Sequence, residues 1–171
     1  VAPNAADAYV YWVLSDSTVP SGNVSRANTN GSGVVNNLAT SAEGGFIAVY
    51  GNYLYYKSSD TTIGRATVDG ADANPNFITG LTSDPRGIAV NGSYIYWAQY
   101  GHYAWDADRG IFRIGMSGGV AGGAIVANPS GGPNGIALDS NYIYWANSDN
   151  AWGGPVAISR AHLDGTSVDD T

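Results

Sequence analysis

Two histidines, His102 and His162, are the imidazoles available for proton transfer or metal binding in this chain of 171 residues. Neither stands in a His-x-x-x-His or Glu-associated context, and there is no cysteine, so the spacings that build zinc sites are absent. Asp106 and Asp108 flank Ala107, an oxygen-rich pair of the sort that binds calcium, but the twelve-residue EF-hand pattern is missing and the pair reads as a solvated turn. Serines are plentiful, yet none sits in a Gly-x-Ser-x-Gly elbow, and no Gly-x-x-x-x-Gly-Lys loop exists to cradle phosphate. The expectation is therefore a chain without catalytic residues, metal or cofactor, and not an enzyme.

The chemistry that remains is non-covalent. Twelve tyrosines and five tryptophans could stack on sugar faces or fill a core. Most recur at fixed positions, which speaks for core. Tyr100, Tyr103 and Trp105, in the stretch from Gln99 to Asp106, and Trp152 break that recurrence, and they are the candidate ligand or interface contacts. Arg26, Arg65, Arg113 and Arg160 recur at one position, where a planar guanidinium can pair with the recurring Asp16, Asp60 and Asp149. Fourfold repetition marks these as structural groups. Asn23, Asn30 and Asn91 head Asn-x-Ser tripeptides beside turns or strand ends, which makes them candidate glycosylation sites.

Composition narrows the partners. Seven basic residues against fourteen acidic ones leave a net charge of -7, and Lys57 is the single lysine, which excludes a nucleic-acid footprint. No apolar run approaches the ~18 residues of a membrane-spanning helix. Charged residues make up 12% of the chain, about half the usual share, so the surface is unusually neutral and prone to association unless covered by sugar or a partner. The sequence opens on Val1-Ala2-Pro3, which agrees with removal of a signal peptide or with a fragment, and an extracellular or cell-surface location is expected.

The elements that must position these groups are written in a repeat. Tyr9-Val10-Tyr11-Trp12 returns as Tyr53-Leu54-Tyr55-Tyr56, Tyr94-Ile95-Tyr96-Trp97 and Tyr142-Ile143-Tyr144-Trp145. Ahead of the last three stand Gly45-Phe46-Ile47-Ala48-Val49, Gly87-Ile88-Ala89-Val90 and Gly135-Ile136-Ala137-Leu138; the first copy lacks such a partner. Behind each lies an Arg-bearing piece, Val24 to Ala27, Ile63 to Ala66, Ile111 to Ile114 and Ile158 to Ala161. Asn30-Gly31, Asp69-Gly70, Ser117-Gly118 and Asp164-Gly165 follow, pairs suited to a tight two-residue hairpin. Alternation places the two tyrosines of each aromatic segment on one sheet face and the Ile and Trp on the other. No window carries a helical stripe, so almost no helix is expected. Each unit offers four short strands, the last near Gly33–Leu38, Asn76–Thr79 or Ala124–Ala127, and together these make one propeller blade.

The aromatic segments and the Arg-Ala-x-x-Asp-Gly elements, taken over nearly the whole chain, resemble the YWTD repeats of LDL-receptor-type β-propellers and, more loosely, NHL-type bacterial propellers. Where that family places Thr-Asp, this chain has Val13-Leu14, Lys57-Ser58, Ala98-Gln99 and Ala146-Asn147, with Ser-Asp slightly later at Asp16, Asp60 and Asp149. The resemblance implies an all-β architecture of about four four-stranded blades in a single domain over 1–171, the repeats beginning near 9, 53, 94 and 142. The family's ligand-binding residues have no counterparts here. The first blade is short of its leading strand and the fourth of its last.

Six-bladed rings of ~42 residues per blade need roughly 250 residues, so three arrangements compete: a piece of a longer propeller, a four-bladed ring, or an open array completed by a neighbouring chain. The leading functional expectation is an extracellular structural or interaction protein that forms a homo-oligomer or filament by completing strands between subunits, with attached glycans. A carbohydrate-binding lectin-like propeller is the first alternative, and a metal-dependent lyase or hydrolase of NHL-like type the second.

Overall fold

β-Branched and aromatic residues in short runs, punctuated by Gly, Asn and Asp, build strands and little else. In the computed structural model, residues 8–14, 21–42, 45–101, 108–129, 131–148 and 157–170 are described, and no α-helix occurs among them. The strands run in chain order as β1 (Tyr9–Leu14), β2 (Ser21–Asn28), β3 (Val35–Ala42), β4 (Ile47–Tyr50), β5 (Tyr53–Ser59), β6 (Thr62–Thr67), β7 (Asn74–Thr79), β8 (Pro85–Val90), β9 (Tyr94–Gln99), β10 (Gly110–Gly115), β11 (Gly119–Val120), β12 (Val126–Ala127), β13 (Gly132–Leu138), β14 (Tyr142–Ser148) and β15 (Ala157–His162). The chain is all-β and of propeller type. It divides into two compact units, residues 1–79 and 80–171.

The first unit holds two blades. The first blade is a three-stranded antiparallel sheet, β1-β2-β3, and the second runs β4-β5-β6-β7. In the second unit, the third blade runs β8-β9-β10-β12 and the fourth is again three-stranded, β13-β14-β15, extended by a single bridge from Arg160 to Asp169. Among the described residues the first and fourth blades thus have three strands each, in keeping with the incomplete first and last blades expected from the repeats. The register sets Tyr11 opposite Arg26, Tyr55 opposite Arg65, Tyr96 opposite Arg113 and Tyr144 opposite Arg160. Register shifts between Val24 and Arg26, and between Ile63 and Arg65, mark bulges next to the arginine in the first two blades.

Each core lies between two blades. In the first unit, Val24 and the partly buried Tyr11 and Val13 pack against Leu54, Tyr56 and Ala66. In the second, Tyr96, Ala98 and Ile111 pack against Ile143, Trp145 and Ala161. The same rule operates twice: the tyrosine-bearing face of one blade meets the Ile/Trp face of the next.

The turn after the arginine strand differs from the tight two-residue hairpin expected. Gly31, Gly70 and Gly165 have φ of +83°, +89° and +88°, while Asn30, Asp69 and Asp164 do not take positive φ. The glycine amide bonds back to the carbonyl three residues earlier, Gly31 to Asn28, Gly70 to Thr67 and Gly165 to His162, each at 2.8 Å. This is a type I turn closed by a left-handed glycine, a longer loop with a bulge. The Asx side chain explains the sequence: Asn30, Asp69 and Asp164 Oδ1 accept the amide two residues on, from Ser32, Ala71 and Thr166.

Candidate functional site

Two of the recurring arginines, Arg26 and Arg113, bond to backbone carbonyls of the next blade. Arg26 Nη1 donates to the backbone carbonyl of Val68 at 2.6 Å, and Tyr11 Oη to the same carbonyl at 3.4 Å. Arg113 Nη1 and Tyr96 Oη converge on the carbonyl of Leu163 at 2.7 and 3.3 Å. Val68 and Leu163 stand two residues before the turn glycine of the following blade. Each guanidinium also lies over the first tyrosine of its aromatic strand, Arg26 over Tyr9 at 4.3 Å, Arg65 over Tyr53 at 4.5 Å, Arg113 over Tyr94 at 4.6 Å and Arg160 over Tyr142 at 5.1 Å. Asp60 binds Lys57 at 2.9 Å. Asp16 and Asp149 lie outside the described residues.

The fourth blade treats the same pair differently. Tyr144 Oη donates to Asp139 Oδ2 at 2.8 Å, and Arg160 Nη2 stands 3.2 Å from Asp169 Oδ2. Its tyrosine-bearing face is open. Ile158 occupies the position of Val24, Ile63 and Ile111; those three have no exposed surface, whereas Ile158 is 65% exposed. An apolar groove of about 300 Å3 lies along this face, lined by Ile136, Ala137, Tyr144, Ala146 and Ile158 among others. The first blade is open on its other face. Val10 is 48% exposed, while its counterparts Leu54, Ile95 and Ile143 are fully buried.

A polar cleft of about 650 Å3 runs between the third and fourth blades, at the end where their Asx turns gather. Tyr94, Tyr142, His162, Arg113, Asn141 and Asp164 line it, among others. His162 lies on the Tyr142 ring, centroids 4.9 Å apart and planes 22° from parallel. Asp139 Oδ1 accepts the amides of Asn141 and Tyr142; these bonds and the Tyr144 hydroxyl hold its carboxyl below the usual range. The bond to Asp139 pushes the Tyr144 phenol up. The hydroxyl and amide of Thr166 likewise lower Asp164.

Of the contacts expected from sequence, Tyr100 is half-buried, with Arg86 over its ring at 5.2 Å and its ring edge against Gly132, where a Cβ would collide. Tyr103, Trp105 and Trp152 lie outside the described residues, as do His102 and Asp106. Asp108 offers its backbone carbonyl to Gln99 Nε2 at 2.8 Å. Among the described residues no group of three or more His, Cys, Asp or Glu gathers to hold a metal. Asn23 is half-buried on β2, opposite Thr40. Asn30 Oδ1 accepts the amide of Ser32, and Asn91 Oδ1 those of Ser93 and Tyr94. The cleft residues were missed by sequence because each, save His162, is an ordinary repeat position; His162 stands where the other copies carry Asn28, Thr67 and Gly115.

No family model matches the chain, YWTD and NHL models included, and no curated protein matches it by sequence. Solved structures do. An oligogalacturonate lyase from Vibrio parahaemolyticus matches with a TM-score of 0.64 at 11% identity, over 96% of this chain and 49% of that one. A putative 6-phosphogluconolactonase from Bacteroides uniformis matches with a TM-score of 0.58 at 18% identity, over 99% and 54%. The computationally designed Ika4 protein matches with a TM-score of 0.56 at 9% identity, over 90% and 91%. The chain spans about half the length of the two natural proteins. The likeness shows the propeller-type fold. It also corrects the expectation that the chain stands apart from enzymes: two of the matched structures are described as an oligogalacturonate lyase and a putative 6-phosphogluconolactonase. Fourfold repetition of the arginines does not by itself argue against catalysis, since the copies differ at neighbouring positions, His162 standing where the others have Asn28, Thr67 and Gly115.

Proposed function

We propose that the chain is a self-associating interaction module of YWTD-like blades, located outside the cell, whose copies join through blade faces left open in each. One observation carries this reading. At the position filled by Val24, Ile63 and Ile111, all fully buried, Ile158 is 65% exposed. Fully burying one such side chain is worth ~1.5–3 kcal/mol, and the groove around it adds apolar area at ~25 cal/mol per Å2. The edge strands of the three-stranded first and fourth blades add backbone groups that a further strand could pair with. A heterologous contact of this type propagates as a filament or closes as a ring. Light scattering on chromatographically separated protein should show mass rising with concentration, and Ile158→Asp should return it to one chain. A wild-type protein of single-chain mass at every concentration overturns the reading.

The cleft favours a second reading, binding of a polyhydroxylated ligand such as a carbohydrate. Tyr94, Tyr142 and His162 supply ring faces and edges, while Asn141 and Asp164 supply the hydrogen-bonding groups that sugar hydroxyls require. Calorimetric titration with oligosaccharides should give binding that Tyr142→Ala removes; absence of heat across a glycan panel overturns it.

A further inference from the structure

We infer that Tyr144 and Arg160 of one copy close as a latch on the backbone carbonyl of Thr29 in a second copy of this chain. The inference rests on the association proposed above and names its contact. Both blade junctions within the two units use one device: a cross-strand Tyr–Arg pair converges on a single carbonyl, Val68 for Tyr11 and Arg26, Leu163 for Tyr96 and Arg113. That carbonyl is held in a constant frame. The Val68 amide bonds to the Asn52 carbonyl at 3.0 Å and the Leu163 amide to the Asn141 carbonyl at 3.2 Å, each two residues ahead of a left-handed glycine.

The first blade reproduces that frame. The Thr29 amide bonds to the Ala8 carbonyl at 3.3 Å, and Gly31 two residues on has φ +83°. Thr29 is exposed, and Val10 of the same blade is uncovered where Leu54 and Ile143, its counterparts at the two junctions, have no exposed surface. The fourth blade supplies the other half. Tyr144 and Arg160 face each other across β14 and β15 in the register of Tyr96 and Arg113, but they rest on Asp139 and Asp169. The chain therefore carries one open donor face and one open acceptor face, both cut to the pattern that joins its own blades. This is why a second copy, and not an unrelated protein, is the occupant. Docking exchanges the bonds to Asp139 and Asp169 for the Thr29 carbonyl, as a guanidinium-to-carbonyl bond sheltered from water by the Ile158 groove.

The chain has no native cysteine, so placed thiols report the contact. Chains carrying Thr29→Cys and chains carrying Tyr144→Cys, mixed under mild oxidation, should yield a disulfide-linked heterodimer in excess of the collisional dimers each forms alone. Arg160→Ala should weaken association about tenfold, while Asp169→Asn, which frees Arg160 from its resting partner, should not weaken it. If the wild type associates but Arg160→Ala associates equally and no heterodimer forms, the latch is overturned and the association stands. If the wild type never associates, both fall. A double Thr29→Cys, Tyr144→Cys chain that cross-links only within itself also overturns the second copy as occupant.

Discussion

Arg113 reaches the backbone carbonyl of Leu163 with a 2.7 Å hydrogen bond from Nη1, fifty residues along the chain and in the next blade. The guanidinium is held above by the Tyr94 ring at 4.6 Å and shares its acceptor with Tyr96. A hydrogen bond from a charged donor contributes about 1.5–3 kcal/mol, and a half-exposed cation–π contact about 0.5–1 kcal/mol. Arg113→Ala should therefore destabilise the chain by roughly 2–4 kcal/mol in urea unfolding. Tyr96→Phe, which removes a longer bond of 3.3 Å, should cost about 0.5–1 kcal/mol.

Two turn glycines with almost the same φ separate backbone strain from crowding. Gly31 has φ +83° and nothing within 4 Å of an added Cβ; Gly165 has φ +88°, and its Cβ would run into the Ile125 carbonyl. Gly31→Ala should cost only the left-handed penalty of about 1–2 kcal/mol. Gly165→Ala should cost that plus displacement of the Ile125 backbone, at least about 1 kcal/mol more. Equal melting shifts for the two variants would refute the distinction.

What the sequence reveals depends on periodicity. The alternation in Tyr-Ile-Tyr-Trp is strict, so the strands, their faces and the two incomplete blades are legible from it. The turn type is not, because Asn-Gly and Asp-Gly serve both the two-residue hairpin and the type I turn with a left-handed glycine, and the choice is made by the Asx carboxyl or carboxamide capping the amide two residues on. The partners of the arginines are hidden for another reason. Val68 and Leu163 act through a backbone carbonyl, which leaves no mark on side-chain identity. The open faces are hidden too, because Ile158 and Ile111 are the same residue type in the same repeat position and differ only in what covers them.

Acid should loosen the turns in a definite order of cause. Asp69, Asp139 and Asp164 all have folded pKa values below the ordinary 3.8, the first lowered chiefly by the Thr67 hydroxyl, the second by the Asn141 amide and the third by the Thr166 hydroxyl. A carboxylate with a depressed folded pKa stabilises the fold above its unfolded pKa, and that contribution disappears as pH falls through the folded value. Stability should thus be flat in these groups above about pH 5 and decline below about pH 4. Asp139→Asn should lower stability at neutral pH and make the acid limb shallower. An unchanged acid limb in that variant would show that Asp139 does not contribute.

Identical substitutions at Ile111 and Ile158 should part company sharply. Both face the same side of the arginine strand, opposite Ala98 and Ala146. Ile111 has no exposed surface and packs with Tyr96, Val126 and Trp145, so truncation to Ala removes buried methyls and leaves a cavity, a loss of about 2–5 kcal/mol. Ile158 loses little on truncation in the dissociated chain, within about 0.5 kcal/mol, because water already reaches it. At concentrations where copies associate, the Ile158→Ala variant should instead show a lower melting temperature than the wild type and lose the wild type's rise of melting temperature with concentration, since a partner that binds only folded chains stabilises them by mass action. Thermal melts of both variants across a hundredfold dilution measure this, and a concentration-independent melt in the wild type would place Ile158 in permanent contact with solvent.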